Sequence, residues 1–202
     1  MAHEGLWEKL EKLDHAETAR RAGCQHLSDP ERYVLTLLNT EYIVRTTDKS
    51  IAAVLSASSE RPAEFLEQLC VLAYLINAKD EPLSGKLVNG LALPGGQFFF
   101  RGVHCLPTEK LEQVFGDRPE ALLEAARPLA AEQSEFGDAS VRLRILPRVP
   151  VTIVVWGRCE QFEARASILF DKTAADQLPL DALLAAVNLG VEALTEAVSG
   201  SD

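Results

Sequence analysis

Apolar and polar positions alternate most regularly within Ser140–Asp171, where Val141, Leu143 and Ile145 are interleaved with Arg142 and Arg144. A period of two is the pattern of a half-buried strand. Val149–Trp156 reads VPVTIVVW, a nearly unbroken β-branched run that suits a strand covered on both faces. Pro147 and Pro150 flank the junction between the two segments, and neither can donate a ladder hydrogen bond. The chain must therefore bend or change edge there. Ser167–Phe170 supplies a third short strand and ends against Asp171. The expectation is one mainly antiparallel sheet with Thr152–Trp156 at its centre and Val141–Ile145 and Ser167–Phe170 as neighbours.

Elsewhere the period changes. Leu6, Leu10 and Leu13 share one face of a helix predicted over Leu6–Arg21 and closed by Gly23. Tyr33–Leu38 and Tyr42–Arg45 read as a hairpin with Asn39 in its turn. Ile51–Ser59 fits either a short helix or a loop. Pro62–Ala78 is predicted to be a helix, with Pro62 in its first turn and a broad stripe through Phe65, Leu69, Leu72 and Ile76. Lys79–Gly96 is dense in turn formers, and the aromatic Gln97–Val103 that follows resembles a strand. Helices are expected over Pro107–Phe115, Pro119–Ala131 and Ala182–Val198. Strands come in antiparallel-looking groups separated by helices, which argues for α+β rather than strict βαβ alternation. The whole chain, residues 1–202, reads as a single α+β domain. Residues 5–30 form an N-terminal helix and connection, and 199–202 a flexible tail.

Composition narrows the function classes. The chain has 202 residues, 47% hydrophobic and 25% charged, enough for a sizeable core. Its formal net charge of −10 repels phosphate backbones, and its Arg and Lys residues are scattered among acids, so no nucleic-acid partner is expected. No apolar run approaches the ~18–20 residues of a membrane span, and the charged first residues do not read as a secretory signal. Cys24, Cys70, Cys105 and Cys159 lie far apart, as reduced thiols of a cytoplasmic protein would.

Chemistry is sparse. Gly95-Gly96 could present backbone N–H groups to an anion, or simply make a tight turn; neither Gly-rich nucleotide fingerprint is present. His104-Cys105 are adjacent and, on a strand, would face opposite sides. Cys24 and His26 would share a face if extended, but two ligands do not make a zinc site, and no metal is expected. Arg148, stiffened by the flanking prolines, is the leading contact for an anionic ligand; alternatively it pairs a fixed carboxylate, Asp171 or Asp138. Arg101 is a second anion holder. Asp171 is a ligand, a base or a cap, and capping is the commoner role.

Taken in order, Pro82-Leu83-Ser84-Gly85, Leu93-Pro94-Gly95-Gly96, Gly137-Asp138-Ala139, Leu146–Pro150, Ile168–Asp171 and Leu178-Pro179 resemble the domain of unknown function family 3786. The resemblance implies a stand-alone form without an iron–sulfur module, in an anaerobic setting, and it implies no reaction. Arg158-Cys159 and Asp176-Gln177 depart from the family pattern. The resulting expectation is a binding or accessory protein for a cofactor or anionic small molecule in anaerobic metabolism. Its candidate ligand residues are Arg148, Arg101, Asp171, Asp138, Gly95 and Gly96. The cofactor is unspecified, and an iron–sulfur or redox protein is the expected macromolecular partner. The alternatives are an enzyme using Asp171 or Asp138 as base with Arg148 or Arg101, and a protein–protein adaptor.

Overall fold

Alternating burial along Glu31–Leu37 and Thr40–Arg45 marks the first hairpin of the computed structural model, which describes residues 3–199. Leu38 and Asn39 both have positive φ, 50° and 63°, as a two-residue turn matched to strand twist requires. This hairpin is part of a five-stranded antiparallel meander: β1 (Gln25–Ser28), β2 (Glu31–Leu37), β3 (Thr40–Arg45), β4 (Ser50–Ser56) and β5 (Ser59–Pro62).

A second antiparallel sheet holds β6 (Leu87–Asn89), β7 (Glu132–Gln133), β8 (Ala139–Leu146), β9 (Val149–Trp156) and β10 (Arg165–Asp171), in the order β6-β10-β9-β8-β7. As expected, β9 is central, and it is buried at every position except Trp156. Pro147 and Arg148 form the tight β8–β9 turn. Pro150 sits opposite Arg144, beside the register shift between Arg144 and Leu146, so its missing N–H falls where the ladder is already irregular. The α+β, antiparallel fold class thus stands, with the strands divided between two sheets.

Eight α-helices complete the described residues: α1 (Glu4–Leu10), α2 (His15–Ala22), α3 (Phe65–Asn77), α4 (Gly96–Phe99), α5 (Thr108–Phe115), α6 (Ala121–Ala125), α7 (Ala174–Gln177) and α8 (Leu180–Ser199). The two long ones, α3 and α8, pack on each other; α1 and α2 lie against α3, while α5, α6 and α8 lie against the second sheet. One apolar cluster joins both sheets through Tyr33, Leu37, Leu72, Leu143, Ile153, Phe170, Val187 and others. No helix among the described residues is long and apolar enough to cross a membrane.

Several predicted elements differ. The first helix is two, because the Asp14 carboxylate accepts a hydrogen bond from Glu17 N–H at 2.8 Å and caps a new start. Ile51–Ser59 is neither helix nor loop but most of β4 and the start of β5, since β3 offers it an edge. Pro62 ends β5, and α3 begins later, where Glu67 accepts a hydrogen bond from Glu64 N–H at 2.7 Å. Pro119–Ala131 shortens to α6 plus a 3₁₀ turn at Arg127–Leu129. Gln97–Val103 is not a strand. The Asn89 side chain caps a 3₁₀ turn that leads the chain off the sheet, and Phe98 and Phe99 N–H both bond Gly95 C=O. Phe100 there packs on Phe170 with ring centroids 6.1 Å apart. The predicted tail at 199–202 lies, beyond Ser199, outside the described residues.

Candidate anion-binding groove

Arg148 owes its position to the β8–β9 turn, and its contacts are a surprise. Its backbone N–H donates to the Tyr74 hydroxyl at 3.1 Å, and that hydroxyl donates to Ala22 C=O at 2.7 Å. The guanidinium donates from Nε to Arg21 C=O at 2.7 Å and from Nη2 to Asp80 Oδ1 at 2.5 Å. Arg148 and the Tyr74 hydroxyl thereby satisfy the Arg21 and Ala22 carbonyls at the C-terminal end of α2, where a cation is favoured. Gly23 caps the same helix end at φ 62°, and a side chain there would begin 3.7 Å from Arg148 Nε. The fixed carboxylate is Asp80, which also pairs with Arg20, and not Asp171 or Asp138 as expected.

An open groove of about 710 Å³ runs past this turn. Arg142 and Arg144 line it from β8, Pro147 and Arg148 from the turn, Pro150 from β9, and Thr36 and Asn39 from β2 and the β2–β3 turn. The alternation that buries Val141, Leu143 and Ile145 turns Arg142 and Arg144 the other way, about 7 Å apart along the strand. Arg142 is half-buried and Arg144 exposed; neither has an ion-pair partner among the described residues. Glu132, opposite Arg142 on β7, is the carboxylate lining the groove beside these two guanidinium groups, the third, on Arg148, being paired with Asp80. In a chain of net charge −10 this is a local reversal of sign.

The other candidates lie elsewhere. Asp171 is buried and fully engaged: Oδ1 accepts from Ser84 N–H (3.1 Å) and Oγ (2.8 Å) and from Thr173 N–H (3.0 Å) and Oγ1 (2.7 Å), and Oδ2 from Gly85 N–H at 2.8 Å. Burial alone would raise its pKa, but these donors together outweigh burial and hold it at about 2. It caps and fixes the 84–85 turn next to Leu83, which lines the groove. Asp138 is exposed and accepts from Gly157 N–H at 2.8 Å. Arg101 is exposed, just before the 3₁₀ turn Gly102–His104, so His104 and Cys105 are not on a strand. Gly95 takes φ 75°, and a Cβ on Gly96 would lie 1.9 Å from Gly90 O, so this pair serves close backbone packing. The groove therefore gathers Arg148 but not Arg101, Asp138, Asp171, Gly95 or Gly96. All four cysteines are free, and burial pushes the Cys24 and Cys70 thiols up to about 12.

In the sequence, Arg142 and Arg144 read only as the solvent face of a strand. Their i, i+2 spacing was the available signal.

Fold and groove define an antiparallel α+β domain in which β8 and the β8–β9 turn present guanidinium groups to an open groove. Residues 14–193 match the family model described as domain of unknown function (DUF3786), and the chain belongs to that family. Searches of curated proteins and of solved structures each found no match.

Proposed function

We propose that this is a binding or accessory protein for an anionic small molecule or cofactor, held in the groove by Arg142 and Arg144. The setting proposed for it is the cytoplasm and anaerobic metabolism. The observation that carries the reading is the pair of unpaired guanidinium groups on a rigid strand. Planar guanidinium forks suit carboxylate or phosphate, and rigidity lowers the ordering cost of binding. Arg148, already committed to Asp80 and Arg21, shapes the groove wall rather than gripping the ligand directly. The enzyme reading, with Asp171 or Asp138 as base, draws little support: Asp171 is filled by donors and held at about 2, and Asp138 accepts from Gly157 N–H away from the groove arginines.

Calorimetry with inorganic phosphate, pyrophosphate, citrate and ATP tests the reading. At least one should bind saturably and lose at least about tenfold in affinity in an Arg142→Ala/Arg144→Ala variant that melts normally. Equal binding by that variant, or no binding by any of the four, counts against it.

A second reading, a protein–protein adaptor, draws on exposed Leu91, Phe98 and Val103 in the irregular segment after β6.

A further inference from the structure

We propose that His15, His26 and Glu31 form a binding site for a borderline divalent cation of the zinc type. The inference does not rest on the anion reading, since none of the three lines the groove.

The site is assembled by α2 and the β1–β2 hairpin. Asp14 caps α2 and sets His15 at its first position. Register places His26 opposite Tyr33 and Ser28 opposite Glu31, so His26, Glu31 and Tyr33 share one face of the hairpin. The two imidazole rings stack with centroids 5.3 Å apart and planes 16° from parallel. Glu31 lies between their Nε2 atoms: Oε2 is 3.6 Å from His15 and Oε1 is 3.8 Å from His26. Both separations exceed a hydrogen bond, and the donor atoms all lie within 4.8 Å of one another. A tetrahedral ion with bonds of ~2.0–2.1 Å sets its ligands roughly 3.3 Å apart. Small χ rotations of three half-buried side chains close that gap.

Two further observations point the same way. His26 Nε2 is buried and has no hydrogen-bond partner among the described residues, so a polar atom faces this space with nothing to satisfy it. The other ligands are oriented from behind, as metal ligands characteristically are. His15 Nδ1 is 2.6 Å from the Tyr33 hydroxyl, and in the tautomer that donates Nδ1–H to that oxygen the Nε2 lone pair is free for a metal. The Thr46 hydroxyl donates to Glu31 Oε2 at 2.8 Å. Two imidazoles and one carboxylate are a donor set for zinc, and three protein ligands leave a fourth position for water or an exogenous ligand.

The test is titration of the chelator-treated full chain with Co²⁺, whose visible bands distinguish nitrogen and oxygen donors from thiolate. One equivalent should bind with a nitrogen–oxygen spectrum and be displaced one for one by Zn²⁺. His15→Gln and His26→Gln should each weaken binding at least tenfold, and Tyr33→Phe by about tenfold. Failure to saturate at millimolar Co²⁺, a thiolate charge-transfer band, or histidine variants that bind as tightly as the parent would each overturn the site. If a variant does not fold, histidine ¹⁵N spectra of the parent decide: Zn²⁺ must shift Nε2 of both His15 and His26, and an unshifted pair overturns the proposal.

Discussion

Replacing Asp171 by Asn removes a charge while keeping the shape, and the structure sets its cost. Four donors converge on Oδ1 and one on Oδ2. An Asn that keeps its oxygen on the crowded side must aim its NH₂ at Gly85 N–H, and the reverse placement opposes four donors. The better choice still loses one charge-assisted bond and weakens four, for about 2–4 kcal/mol at pH 7. The pH dependence gives an independent estimate. The Asp171 pKa falls from an ordinary 3.8 to about 2, because the Thr173 and Ser84 donors outweigh a burial effect that acts upward. That difference is worth about 2 kcal/mol of stability. Because the folded value is the lower one, the contribution is complete above the unfolded pKa and is lost as pH falls from about 5 towards 2. Urea unfolding followed by fluorescence, with buried Trp7 as reporter, measures parent and variant side by side. The stability gap should hold constant from pH 7 to 5 and then narrow by about 2 kcal/mol towards pH 2. A gap under about 0.5 kcal/mol at pH 7, or one that ignores acid, would refute the assignment of Asp171 as a charged cap.

Arg148→Met should cost about 1–2 kcal/mol in chemical denaturation, because the quarter-exposed guanidinium is lost from Arg21 C=O and Asp80 while the Tyr74 bond to its backbone survives. A change below about 0.3 kcal/mol would mean the contact to α2 contributes nothing. Gly96→Ala should destabilise by about 2 kcal/mol or more, since its Cβ meets the Gly90 carbonyl, whereas Gly95→Ala suffers positive φ with only an ordinary contact to Leu180 Cδ1 at 3.5 Å, at about 1 kcal/mol. Thermal unfolding that ranks the two the other way would show the turn is packed differently.

The elements legible in the sequence are those whose signal is local. Alternation across Val141–Ile145 and the β-branched run of β9 gave strand identity, neighbours and burial, because a period of two and proline's missing N–H act within a few residues. The apolar stripe of α8 and the Gly23 cap were equally readable. Signals that depend on what lies nearby misled. An aromatic run at Gln97–Val103 fits a strand only where a sheet edge awaits it, and the Asn89 cap had already led the chain away. Ile51–Ser59 gained strand structure because β3 offered an edge. Site chemistry was less legible still. That Arg148 is unusually constrained follows from Pro147 and Pro150, but that its anion is Asp80 follows from α3 ending beside α2. His15, His26 and Glu31 carry no common spacing, and only the packing of α2 on the β1–β2 hairpin brings their donors within 4.8 Å. Backbone preference is decided by neighbours in sequence; a partner for a charge or a lone pair is decided by neighbours in space.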